Sequence, residues 1–394
     1  MHKCFCIIWF TLFSGFAFSQ EKGQQSNIEL NADTLINWLY QMQSDGKSFY
    51  DAGLFPSQRI HPVLSYHKED NNIFFTALIT LILQDVAPHL SDKSEKKAKD
   101  MIQEAVSNYP KYRNKDGGPT YNFWQTDPPQ HFPNDKILSI FKKFMLPDDF
   151  DDTSIIFLTD EKSAEKVSKL KEEMKLHANN NKLSVENTFD RYRDINAYST
   201  WFGENMPIDF DIAVLANTMS MVYAYNLPLN RYDSSSLYLI DRMLQDNEHI
   251  KNPDYISPHY KKTAVIMYHM ARLIGAYNPL IVSDQKDELI LEINRELSQT
   301  ESLMEYILLT TSMMKLGLCP PQISKELVND IGEYNFFVAN MVSTMKDPWK
   351  KMLGATNLLA FPYNCLAYDY ALVLENMVYR KIKKCPGMKL VTKP

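Results

Sequence analysis

Two kinds of helical segment alternate along this chain, and that alternation restricts its fold more than any other feature. One kind is apolar on nearly every side: IFFTALITLILQDV (73–86), IAVLANTMSMVYAY (212–225), TAVIMYHMARLI (263–274), LMEYILLTTSMMKL (303–316) and LAYDYALVLENMVY (366–379). Helices of that composition are covered by neighbours over most of their surface. The other kind carries a single stripe. Within residues 93–109, Ala98, Met101, Ile102, Ala105, Val106 and Tyr109 fall at the i, i+3, i+4, i+7, i+8, i+11 spacing of one helix face. Leu237, Ile240, Met243 and Leu244 form a second stripe, and Leu289, Ile290, Ile293 and Leu297 a third. No segment alternates apolar and polar residues long enough to predict a sheet, so the sequence reads as all-α.

Buried helix, short polar link and striped helix recur about six times, with residues 153–158 and 161–177 as one of the pairs. Such a pattern suits an inner ring of parallel helices wrapped by an outer antiparallel ring, a single α/α toroid of about six helix pairs. A superhelical repeat array is the competing arrangement. The pairs are unequal in length, and the linker over 109–147 is long and rich in Asp, Pro and aromatics. Both features favour a closed ring that carries a site.

Composition narrows the partners. With 45% hydrophobic and 23% charged residues, the chain is an ordinary globular one. Its formal net charge is −6 and its Lys and Arg are scattered, which excludes nucleic acid and acidic membrane surfaces as expected partners. Only 12 glycines are present, with no GxGxxG or GxxxxGK[ST], so no cofactor is expected. Residues 1–19 read as a secretory signal peptide: His2 and Lys3, an apolar run, then Ala17-Phe18-Ser19. That run is shorter than the ~20 residues a span requires, and no later stretch is long enough either. The sequence therefore predicts an exported protein, periplasmic or secreted, with residues 20–394 as one domain and no transmembrane segment after signal removal. Cys319, Cys365 and Cys385 then remain. They allow at most one disulfide, whose pairing the sequence leaves open. No CxxC or HxxxH is present, and no metal is expected.

In a ring of parallel inner helices the N-termini share one rim. The residues just before the apolar helices would gather there: His67, Glu69 and Asp70, the run Asp148-Asp149-Phe150-Asp151-Asp152, Asp209 and Asp211, His259 and Tyr260, Thr300 and Glu301, and Tyr363 and Asn364. Two of these stretches repeat: Pro147 to Asp151 and Pro207 to Asp211 share P-x-D-F-D. An aspartate before an apolar helix is the ordinary N-cap, which accounts for Asp209 and Asp211. Four aspartates in five positions exceed what one cap requires.

Asp149 to Thr153 reads DxDDT and is followed by Ser154 and an apolar run. It resembles the DxDDTA motif of class II terpenoid cyclases of the squalene–hopene cyclase type. The stretch LYQMQSDGKSF (39–49) is similar to the helix-then-turn signature of squalene cyclase and prenyltransferase repeats, and NKDGGP (114–119) through Trp124 is a looser echo. The resemblance implies an α/α toroid that starts a cationic reaction by protonating an alkene or epoxide. It makes Asp151 the proton donor and Asp149 and Asp152 its flanking partners. Crowded carboxylates support such a role, because they cannot all ionise at low cost. Trp124, Phe123, Tyr121, Trp201 and Phe202 are candidates to line the substrate site and stabilise a cation. His131 and His259 are candidates to orient an acid, whereas His269, inside an apolar helix, reads as a core residue.

The chain departs from the family in length, which suffices for one toroid rather than two, and in its predicted export. The zinc ligands of protein prenyltransferases are not apparent. Two other functions therefore stay open. One is a secreted glycan hydrolase or lyase, with Asp151 paired to Asp209, Asp211 or Glu301 at ~6.5–9.5 Å. The other is a non-catalytic toroid that binds a ligand or a protein.

Overall fold

A computed structural model describes residues 31–61, 66–128, 130, 146–160, 162–203, 206–322, 326–354, 356, 359–387 and 392–393. The predicted signal peptide and His131 lie outside the described residues.

Among them are fourteen α-helices. In chain order these are α1 (Ala32–Met42), α2 (Phe74–Val86), α3 (Asp92–Val106), α4 (Phe150–Thr159), α5 (Ala164–Leu176), α6 (Ile212–Ala224) and α7 (Arg231–Gln245). There follow α8 (Glu248–Lys251), α9 (Pro253–Ile256), α10 (Thr263–Tyr277), α11 (Gln285–Gln299), α12 (Leu303–Lys315), α13 (Trp349–Gly354) and α14 (Leu366–Ile382). The helices that are apolar all round are buried all round. α2, for instance, buries residues on every face from Phe74 to Val86, and each large apolar side chain so buried contributes roughly 1.5–3 kcal/mol. The striped helices bury their stripe: Ala98, Met101 and Ala105 on α3; Leu237, Ile240, Met243 and Leu244 on α7; Leu289, Ile293 and Leu297 on α11.

The starts of these helices follow from local chemistry. Asp149 caps α4 and Asp211 caps α6, Ser302 caps α12, and Asn230 with Asp233 forms a capping box on α7. α2 lies against α4, α4 against α6, α6 against α10, α10 against α12 and α12 against α14, while α14 lies in turn against α2. The striped helices add a second layer: α3 on α2, α7 on α6, α11 on both α10 and α12, and α1 on α14. The α10–α12 contact depends on a glycine. A Cβ at Gly275 would stand 2.4 Å from the carbonyl oxygen of Lys315. Backbone cannot yield as a flexible side chain would, so Gly275→Ala is expected to lower stability by about 1–3 kcal/mol despite alanine's higher helix propensity. A chemical denaturation curve measures the loss.

The chain is not all-α. A four-stranded antiparallel sheet has the order β2-β1-β5-β4, built from β1 (Ser57–His61), β2 (Tyr66–Asp70), β4 (Phe337–Asn340) and β5 (Ala360–Asn364). The remaining strands, β3 (Leu327–Val328) and β6 (Thr392–Lys393), pair in parallel. Strands of four or five residues such as SQRIH and YHKED are too short and too polar to show a period of two. Pairing of Arg59 with Tyr363 and of Phe337 with Tyr363 joins segments far apart in sequence. The stretch between α12 and α14 carries β3, β4, α13 and β5 instead of a striped helix.

Candidate functional site

The four clustered aspartates have different tasks. Asp148 is a hub for the preceding linker. Its carboxylate accepts from Asn114 Nδ2 and Thr120 Oγ1, both at 2.6 Å, and from Asn122 Nδ2 at 3.1 Å. Asp149 is the N-cap of α4, its Oδ1 accepting from the Asp152 amide at 2.8 Å. Asp151, one residue into the helix, accepts from Asn217 Nδ2 of α6 at 2.6 Å and from the Tyr260 hydroxyl. Asp152 is 2% exposed, and its Oδ1 has no partner among the described residues.

Asp149, Asp151 and Asp152 border a cavity of about 230 Å³ whose wall includes the rings of Phe74, Phe123, Trp124, Trp201, Phe337 and Tyr363. Strand β4 places Phe337 at the centre of that wall, 4.6 Å from the ring of Phe74 and stacked on Phe123 at 5.7 Å and His259 at 5.9 Å. Asp70, at the end of β2, holds two wall residues by accepting from Trp124 Nε1 at 2.8 Å and from the Tyr363 hydroxyl at 3.2 Å. The two P-x-D-F-D stretches meet across Thr200, whose amide donates to Asp209 O and whose carbonyl accepts from Phe150 N. That bridge carries Trp201 into the wall.

Burial raises all three site carboxyls. Asp151 rises to about 6, with burial the main cause, opposed by the hydrogen bonds from Tyr260 and Asn217. Asp149 rises to about 7 through burial and then the Asp151 charge. Asp152 is raised well above the usual carboxyl range, first by burial and then by the Asp149 charge and a hydrogen bond with Asp149. Burial and the neighbouring carboxylates favour the protonated form of Asp152, while two donors favour the Asp151 anion.

Two further wall groups hold polar atoms without partners among the described residues, Trp201 Nε1 and His259 Nε2. His259 Nδ1 lies 3.2 Å from Val338 O, a carbonyl that can only accept. The proton of the neutral ring is therefore on Nδ1, and Nε2 is free to accept.

No family model matches the chain, and no curated protein matches it.

Of the residues singled out from sequence, Asp149, Asp151, Asp152, Trp124, Trp201 and His259 come together around the cavity. Three do not line it. The Tyr121 ring packs on Phe157 and under the Lys162 ammonium. Asp209 is paired with Lys350, and Asp211 caps α6 while binding Ser257 Oγ and the His259 amide. Of three basic residues that could neutralise the aspartates, Arg191 pairs with Asp246 and Glu248, and Arg193 with Asp190. Lys261 donates to Gly354 O, so none of the three neutralises the cluster. His269 is a core residue, its imidazole pushed down to about 3 by burial. Sequence reasoning missed Asn217 and Phe337. Asn217 left a trace, as a lone amide inside the apolar run of α6. Phe337 left none, because its strand was not recognised. Among the described residues no group of three or more His, Cys, Asp or Glu could hold a metal, and no helix is long and apolar enough to cross a membrane.

The cluster has a pH signature. A carboxyl raised in the folded state contributes stability that is fully present below its unfolded value near ~4 and is lost as pH climbs through the folded value. For Asp149 and Asp151 that window runs through about 6 to about 7. The melting temperature is expected to fall between pH 5 and pH 8. Asp70 and Asp211, also raised by burial, act in the same direction, so the difference between wild type and Asp151→Asn isolates the cluster. Asp151→Asn removes one of the two groups that titrate in this window and the charge that raises the other, so it should flatten the profile and raise the melting temperature at pH 8. Asp149→Ala, which removes the cap, should cost about 0.5–2 kcal/mol.

Proposed function

We propose that this chain is a single α/α toroid related to the terpenoid cyclases, and that its aromatic cavity hosts a general-acid reaction on an apolar, isoprenoid-like substrate. The closed cycle of contacts from α2 through α14 and back, with striped helices outside it, supports the toroid. Asp152 carries the chemistry, as a buried carboxyl beside aromatic rings with one oxygen unpartnered among the described residues and its protonated form favoured by burial and neighbouring carboxylates. In the reaction the carboxyl O–H breaks, a C–H bond forms on an alkene carbon, and a carboxylate and a carbocation result. Rings of Trp124, Trp201, Phe123 and Phe337 stabilise the cation through their faces. Loss of a neighbouring proton ends the sequence, and His259 Nε2 is placed to receive it. The DxDDT resemblance points to Asp151 as donor. The hydrogen bonds here favour Asp152 as the proton holder, with the Asp151 anion stabilising the cation.

The glycan reading has less support, because Asp209 and Asp211 are committed to Lys350 and to the α6 cap. Export to the periplasm or outside the cell belongs to the same proposal, resting on residues 1–19 and supported by the Cys319–Cys385 disulfide. Incubating the protein with linear polyprenyl alkenes and epoxides, followed by mass spectrometry for isomerised or cyclised products, tests the reading. Conversion is expected in wild type and lost in Asp152→Asn with folding intact. Conversion that survives in Asp152→Asn and fails in Asp151→Asn returns the donor role to Asp151. Survival in both ends the acid mechanism, and binding without conversion supports the non-catalytic alternative.

A further inference from the structure

A second cavity, of about 470 Å³, opens at the other end of the apolar helices. Where the first draws on Phe74, Asp149, Val214 and Tyr363 near the helix starts, this one draws on Asp85, Leu158, Tyr277 and Lys383 near the ends. Its wall is polar, and most of its charges are accounted for. Lys315 Nζ lies 2.8 Å from Glu375 Oε1 and 3.3 Å from Asp85 Oδ2. The Tyr268 hydroxyl donates to Glu375 at 2.7 Å, and that of Tyr379 to Asp85 at 2.8 Å.

Arg272 is different. Its guanidinium lines the same cavity with no hydrogen bond or ion pair to any described residue, and it lies 5.8 Å from the centre of the Tyr268 ring. Both carboxylates of the wall are engaged by Lys315, so three cations (Arg272, Lys315 and Lys383) face two anions. Glu375 acts on Arg272 only through space and is itself held by Lys315, so the guanidinium's paired donors have no acceptor among the described residues, and its planar fork matches two oxygens of a carboxylate or phosphate. Helix C-termini repel anions, but the effect is confined to the last turn, and cap amides such as that of Asn278 already engage terminal carbonyls.

We propose that this cavity is a second binding site, for a small molecule bearing an oxyanion that Arg272 grips through two oxygens. The proposal does not depend on the chemistry of the first cavity. Inorganic phosphate and acetate, titrated separately at constant ionic strength against sodium chloride, test it by calorimetry and thermal shift. Saturable binding of either beyond the chloride control is expected, weakened about tenfold or more in Arg272→Gln, with a partial loss in Arg272→Lys, which keeps the charge but not the fork. Tighter phosphate binding assigns a phosphate-bearing ligand, and tighter acetate binding a carboxylate. Wild-type titrations indistinguishable from chloride overturn the proposal whether or not the variants fold. Binding undiminished in Arg272→Gln overturns it too.

Discussion

Replacing Lys350 with methionine is expected to cost about 3–5 kcal/mol of stability, because it strands a buried carboxylate. Lys350 Nζ lies 3.1 Å from Asp209 Oδ1 and 3.2 Å from Asn187 O, and the lysine and aspartate side chains are 3% and 0% exposed. The other Asp209 oxygen has no partner among the described residues. Without the ammonium, only the Asn187 amide at 3.4 Å is left to compensate the charge. Asp209→Asn combined with Lys350→Met removes both charges and should recover much of the loss, since the pair was offsetting a desolvation cost. Asp209 O accepts from Thr200, which in turn joins Phe150, so the single variant should also loosen the Trp201 side of the aromatic wall. Urea unfolding of the two single variants and the double variant measures the coupling. Single-variant losses below about 1 kcal/mol would show that the pair is not what holds this wall.

Cys385→Ser is expected to destabilise the chain by about 4 kcal/mol, the chain-entropy value for opening a loop of this size. The disulfide joins Cys319 to Cys385 across 66 residues of sequence. It ties the exit of α12 to the exit of α14, at the end of the fold where the second cavity opens. Cys365 cannot substitute for either partner. It is buried at the start of α14, and burial pushes its thiol up to about 12. Mass spectrometry of the native protein should show a gain of two hydrogens on reduction, with Cys365 unlabelled by thiol reagents until the chain unfolds. Equal denaturation midpoints with and without a reductant would contradict the prediction.

The crowd of aspartates at 148–152 shows how much of the site was legible in the sequence. That one of them caps a helix was legible, since an acceptor before an apolar run satisfies amides one turn on. That four exceed the needs of a cap was legible too. Which does what was not. Asp148 is consumed by Asn114, Thr120 and Asn122, and Asp151 by Asn217 and Tyr260, and the last of these lies 109 residues away. Asp152, matched by resemblance only to a flanking position, is the carboxyl with an oxygen to spare.

By itself the sequence determined the mainly helical character, the sorting of helices into buried and half-buried kinds, and several of their caps. These follow from a 3.6-residue period and from side chains reaching amides a turn away, and both are local in the chain. Tertiary structure alone decided the four-stranded sheet, the pairing of Asp209 with Lys350, the choice of Cys385 as the partner of Cys319, and the unpaired state of Arg272. Each depends on atoms a few ångströms apart in space and tens to hundreds of residues apart in sequence, a separation that leaves no periodic trace. Burial decided the rest, because the same carboxyl is an ordinary anion in water and holds its proton in an aromatic wall.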